Sequence, residues 1–142
     1  VNTHFNHAAE ITPQAEMACG RLVDAGIPLG CQTVLLRGVN DTPVAMQTLM
    51  RRLVAIRVRP YYLHQMDPVA GTGHFRVSIR QGLALMRSLR GHMSGLCVPQ
   101  YMIDLPGGGG KIPLLPDYVK ETGENTMVVE NYQGERFTYP LN

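Results

Sequence analysis

"PLGCQTVLLRGVNDTPVAMQTLMRRLVAIRVRPYYLHQMD", residues 28–67, carries two strand patterns separated by one helix pattern. "PLGCQTVLL" is a mostly apolar run ending near Leu36 and reads as a strand buried on both faces. "GVNDTP" is turn chemistry, with Asp41 or Thr42 as helix cap and Pro43 at the first helical position. Met46, Leu49, Met50 and Leu53 then recur at helical spacing. "RVRPYYLHQMD" reads as the next strand, with Pro60 near its beginning, where a missing amide donor is tolerable. A strand, a helix and a strand in this order predict a right-handed parallel unit.

The same alternation extends both ways. Upstream, a short strand over Val1–Phe5 precedes a helix with Thr12 as cap, Pro13 behind it and Ala15, Ala18, Cys19 and Leu22 on its apolar side. Downstream, a third helix starts at about Ser78, with Ile79, Leu83, Met86 and Leu89 at matching intervals. "LCVPQYMIDL" supplies a fourth extended segment, interrupted at Pro99. About three βα units make an α/β fold, either part of a barrel or a small open sheet, since eight units need about 250 residues. After Pro116, "TMVVENYQGERFTYP" holds two β-prone runs around Asn131–Gly134, a hairpin-like appendage.

Bulk properties narrow the function classes. The chain has 142 residues, 44% hydrophobic and 17% charged, with a formal charge of +2. That suits one globular core, and the small net charge argues against nucleic acid or an anionic membrane as partner. Without an 18-residue apolar run or a secretory signal pattern, the expected location is cytoplasmic. Cys19, Cys31 and Cys97 are widely spaced and read as reduced structural thiols.

The residues that could carry chemistry centre on "DLPGGGGKIP", 104–113. Four glycines before Lys111 imply close backbone approach to a ligand, delivery of the amine into a tight space, or a surface linker. A nucleotide P-loop is excluded, because Leu105 stands six positions before Lys111 and Ile112 follows it. A phosphate nest of backbone amides remains open beside a covalent role, in which the amine forms an imine with an aldehyde such as pyridoxal phosphate. Asp67 and Asp104 each follow a strand-like run, near the carboxyl ends where parallel folds build sites. They are solvated turn aspartates, or a pair that a substrate ammonium would join. His4, His7, His64 and His74 match no metal motif and suit a polar rim; Arg76 could reach a phosphate.

"VNTHFNHAAEIT", "GIPLGCQTVLLRGVNDTP", "IRVRPYYLHQMD", "GHFR", "LRGHMSGLCVP" and "DLPGGGGKIPLLPDYV" together resemble the lysine 2,3-aminomutase family of the radical S-adenosylmethionine superfamily, from Val1 to about Tyr139. The resemblance implies a partial (β/α) barrel of that type. Residues 1–116 would be the C-terminal half of the barrel with the pyridoxal lysine loop, and residues 117–142 a β-hairpin-like extension. It implies an isomerase that moves the amino group of L-lysine from C2 to C3 with a 5'-deoxyadenosyl radical. Lys111 would carry pyridoxal 5'-phosphate and Asp67 and Asp104 the distal ammonium. His4, Gln32 and His64 would lie at the cofactors, S-adenosylmethionine among them.

The 4Fe-4S cluster signature of the superfamily is absent from this sequence. Zinc is not expected either, because Thr42 stands where zinc-binding members have cysteine and no cysteine follows Cys97. The chain then reads as a fragment, inactive alone. It would need the other half of the barrel, and it would expose a long parallel edge that favours a homo-oligomer. Related readings are an aminomutase acting on glutamate or in translation-factor modification, and a non-catalytic phosphate-binding or assembly fragment.

Overall fold

A computed structural model describes residues 1–142. It contains α-helices α1 (Pro13–Asp24), α2 (Pro43–Ala55) and α3 (Ile79–Leu89). A five-stranded sheet is formed by β1 (Asn2–His4), β2 (Leu29–Leu35), β3 (Val58–Gln65), β4 (Gln100–Leu105) and β5 (Gly110–Pro113), in that spatial order. The first four strands pair in parallel, and β5 runs antiparallel to β4. β6 (Val119–Thr122), β7 (Thr126–Glu130) and β8 (Arg136–Pro140) form a separate antiparallel sheet. The protein is thus mixed α/β, with a parallel sheet and an appended antiparallel one.

The helices start where their caps dictate. Thr12, Thr42 and Ser78 each accept a hydrogen bond from the third backbone amide beyond them, and Pro13 and Pro43 need no donor at the first position. Asp41, the other candidate cap of α2, instead accepts from the Gly38 amide. Met46, Leu49, Met50 and Leu53 of α2 are fully buried, each contributing about 1.5–3 kcal/mol relative to exposure.

Strands met in chain order, without a reversal, put every right-handed crossover on the same side of the sheet. β2 records this directly. Leu29, Cys31, Thr33 and Leu35 are buried, while Gly30, Gln32 and Val34 between them are half-covered. The expectation of burial on both faces is therefore corrected: one face meets the helices and the other does not.

Three further corrections follow. On α3 the buried stripe is Gly82, Leu85, Met86 and Leu89; Ile79 is exposed and Leu83 half-buried, so the stripe is rotated from the expected one. The appendage has three strands, β6 having been missed. The free parallel edge, β1, is three residues rather than long.

Two buried amides tie loops to the sheet. Asn40 accepts from the Leu36 amide and donates to the carbonyls of Asn6 and Val34, closing the turn after β2. Gln65 donates to the Val77 carbonyl and accepts from the Tyr101 hydroxyl. Tyr101 is wholly buried, and burial pushes its hydroxyl up to about 12. Its ring reaches α3 at Gly82, where an added Cβ would lie 2.2 Å from the Tyr101 oxygen.

That contact sets the sign of a substitution. Alanine normally favours a helix by about 1 kcal/mol over glycine. At Gly82 the collision dominates, and Gly82→Ala lowers stability by about 1–3 kcal/mol, read from the urea midpoint. A midpoint unchanged or raised would show that Tyr101 does not hold this position.

Candidate functional site

The glycine run is neither a loose tether nor a linker. Leu105 leads into a single turn over Pro106–Gly108, and the chain returns at once as β5. Gly107, Gly108 and Gly110 have φ of +67°, +79° and +82°, a region that side chains disfavour, so the turn itself demands glycine. An added Cβ at any of the three would meet nothing within 4 Å, so within this chain nothing approaches them closely and the space before the turn is open. β5 was missed because Gly and Pro at both ends suppress strand propensity; Pro-Gly between two extended runs was the signal that could have found it.

The hairpin sets Lys111 directly opposite Asp104. Lys111 Nζ donates to Asp104 Oδ1 at 2.5 Å, with both side chains partly exposed. The second carboxylate oxygen, Oδ2, lies 3.7 Å from His64 Nδ1, outside hydrogen-bond range. Register carries His64 to Met102, and alternation along β4 puts Met102 and Asp104 on one face. Asp104 therefore stands between an ammonium and an imidazole.

His64 gathers the surrounding charges. Its pKa is lowered from the ordinary histidine value, chiefly by burial and then by the Lys111 ammonium. Asp104 and Asp67 act in the opposite direction, and His4 adds to the lowering. Because the folded-state pKa lies below the unfolded one, this histidine's contribution is complete above about pH 6.5 and is lost as pH falls through its folded value.

Asp67 lies two residues past the end of β3. With Asp104 it lines a cavity of about 420 Å³, together with Gln65, Arg76, Ile79 and Ile103. Two carboxylates against one guanidinium leave this lining net negative, which suits a cationic group on an otherwise apolar chain. Arg76, weighed in the sequence for phosphate, lines the same cavity as the carboxylates.

His4 and Gln32 are register partners on β1 and β2, and Gln32 pairs in turn with Tyr62 on β3. Cys31 faces Pro60 while Gln32 faces Tyr62, so Tyr61 is an extra residue, a bulge. The bulge lets Tyr61 and Tyr62 stack at 3.7 Å between ring centroids, with their hydroxyls hydrogen-bonded at 2.8 Å. Tyr62 also meets His64 edge-on. Five of the six expected residues, His4, Gln32, His64, Asp104 and Lys111, thus lie along the helix-free face, and Asp67 closes the cavity at its carboxyl end. Sequence reasoning missed the two tyrosines, because a bulge reverses the phase of alternation without any sign in composition.

Other polar candidates serve the fold. His7 accepts from the Ala9 amide, and Arg52 donates to the Ala8 and Ile11 carbonyls. Cys19, Cys31 and Cys97 are free and buried, and no three potential metal ligands come together.

A lysine facing a carboxylate across a hairpin at the carboxyl end of a parallel sheet defines an α/β protein with an amine-bearing polar face. A family model described as lysine-2,3-aminomutase matches residues 86–141. The chain is 52% identical over 134 residues to the L-lysine 2,3-aminomutase of Methanococcus maripaludis, covering 94% of this chain and 31% of that protein. It is 49% identical over 144 residues to that of Clostridium subterminale, covering 100% and 35%. It is also 45% identical over 135 residues to the glutamate 2,3-aminomutase of Clostridioides difficile, covering 95% and 32%. The chain matches the C-terminal portion of the lysine 2,3-aminomutase family over nearly its whole length. It spans about a third of the length of these relatives.

The electrostatics predict opposite shifts in two variants. By NMR titration, His64 protonates below the ordinary histidine value. Lys111→Gln raises that midpoint by removing a like charge, and Asp104→Asn lowers it further. Identical midpoints in all three proteins would break the proposed grouping.

Proposed function

We propose that the chain carries the amine and the ammonium-binding carboxylates of an isomerase that moves the amino group of L-lysine from C2 to C3. The observation that carries this reading is Asp104, which pairs with Lys111 and shares a cavity with Asp67. A second carboxylate on that cavity favours a substrate ending in an ammonium over one ending in a carboxylate, which separates lysine from glutamate.

The parallel sheet is read as a sector of a radical S-adenosylmethionine (β/α) barrel, with residues 1–116 as the barrel part and 117–142 as an extension. Further strands, from a companion segment or a second copy, add at the free edge of β1.

The residues fit pyridoxal phosphate: a partly exposed amine follows a turn with open space before it. That cofactor supplies an aldehyde that condenses with amines and a conjugated ring that delocalises an unpaired electron. Lys111 presents the amine, Asp67 and Asp104 orient the substrate's far end, and His64 stands beside Asp104. His4 and Gln32 present polar groups on the same face to S-adenosylmethionine. The buried, scattered cysteines do not fit an iron–sulfur cluster.

Lys111 and Lys120 are the lysines of the chain, and Lys120 is held by the Asp117 carbonyl and near Glu130. Incubation with pyridoxal phosphate, borohydride reduction and peptide mapping is expected to label Lys111, with the label lost in Lys111→Met. Equal label on Lys120 or the terminal amine would overturn the assignment.

The Lys111 ammonium also occupies a carboxylate that the substrate ammonium needs. A partly exposed ion pair is worth up to about 1 kcal/mol, so Lys111→Met should tighten L-lysine binding by about fivefold, measured by calorimetry. Weaker binding in that variant would contradict competition for Asp104.

A further inference from the structure

Gln65 is the last residue of β3 and is buried. One end of its amide accepts a hydrogen bond from the Tyr101 hydroxyl, and the other donates to the Val77 carbonyl at 2.8 Å. Each contact is made within three residues of a charged residue that lines the cavity. Asp67 is two residues beyond Gln65, Asp104 three beyond Tyr101, and Arg76 immediately before Val77. A single side chain thus joins β3, β4 and the returning segment before α3 where each delivers a charge.

The network has little freedom. Tyr101 is wholly buried, and its hydroxyl end sits where only a glycine on α3 leaves room. Gln65 is satisfied at both ends, so sliding β4 relative to β3 or lifting the 66–77 segment would leave a buried amide or hydroxyl unpaired, costing about 1–3 kcal/mol. Asp67 is exposed and its side chain makes no hydrogen bond, and the exposed Asp104 is held only by its pair with Lys111.

We infer that Gln65 is a positioning residue that sets the separation of the Asp67 and Asp104 carboxylates, and with it the length of diamino acid the cavity accepts. This rests on the reading of the cavity as the seat of the substrate's distal ammonium. A chain one methylene shorter leaves that ammonium short of one carboxylate, and one methylene longer forces it to fold. Gln65 need not touch the substrate to exert this selection.

The test is calorimetric binding of L-lysine, L-ornithine and L-homolysine to the wild-type chain, Gln65→Met, Tyr101→Phe and Asp104→Asn, with folding checked by circular dichroism. Wild type is expected to prefer lysine by roughly tenfold, the discrimination typical of one methylene. In Gln65→Met, which keeps volume and loses both hydrogen bonds, the lysine-to-ornithine ratio falls to within about twofold, mostly through loss of lysine affinity. Tyr101→Phe moves the ratio the same way by less, and it carries the test if Gln65→Met does not fold. A merely structural amide would weaken all three ligands alike, so an intact ratio in the folded variants overturns the inference. If wild type binds none of the three, or Asp104→Asn leaves lysine binding unchanged, the ammonium reading fails and takes this inference with it, a result distinct from an intact ratio.

Discussion

Right-handed crossovers between strands laid down in chain order put α1, α2 and α3 on one side of the sheet, and the rest of the architecture follows from that asymmetry. The helix side takes the aliphatic side chains of β2 and β3, with Tyr101, into one core. The opposite side is left to side chains that no helix of this chain covers. A sheet with a strand-order reversal would have placed helices on both faces and left only a crevice for polar groups. Here a whole face is free for His4, Gln32, the two tyrosines, His64 and Lys111.

The change of strand direction after β4 completes that face. A fifth parallel strand would have needed another crossover of a dozen residues or more. The glycine turn instead returns the chain within a few residues, and cross-strand pairing brings an amine to a carboxylate seven positions away. Asp104 pairs with the Lys111 ammonium, lines the cavity with Asp67, and lies near the His64 imidazole, whose pKa is lowered by burial and by Lys111. One carboxylate at a strand end thus couples the amine to the cavity.

Buried amides give this arrangement its rigidity. Asn40 bonds three backbone groups and Gln65 a backbone carbonyl and the Tyr101 hydroxyl, so both ends of each amide are engaged, and each sits where a loop leaves a strand. The appended sheet is anchored differently, through Arg87 bound to Glu130 and to the Asp117 carbonyl, with Lys120 nearby. That contact is ionic and partly buried, whereas the cavity end of the sheet is tied by neutral amide hydrogen bonds.

Local chemistry was legible along the chain. Thr12, Thr42, Ser78 and the following prolines announced the helices, because capping depends on neighbours three residues away. The α2 stripe was read correctly since its period is uninterrupted. The motifs around Lys111, Asp67 and Asp104 carried the family. What composition could not show was phase. The Tyr61 bulge, the rotated stripe of α3 and the antiparallel β5 depend on which partner strand or helix each residue meets. The sequence by itself determined the three helices, the four parallel strands, their order and the residue types available for chemistry. Only the tertiary structure decided that Lys111 lies against Asp104 and that Gln65 joins three segments, because hydrogen bonds and ion pairs between distant residues form only after packing has chosen their register.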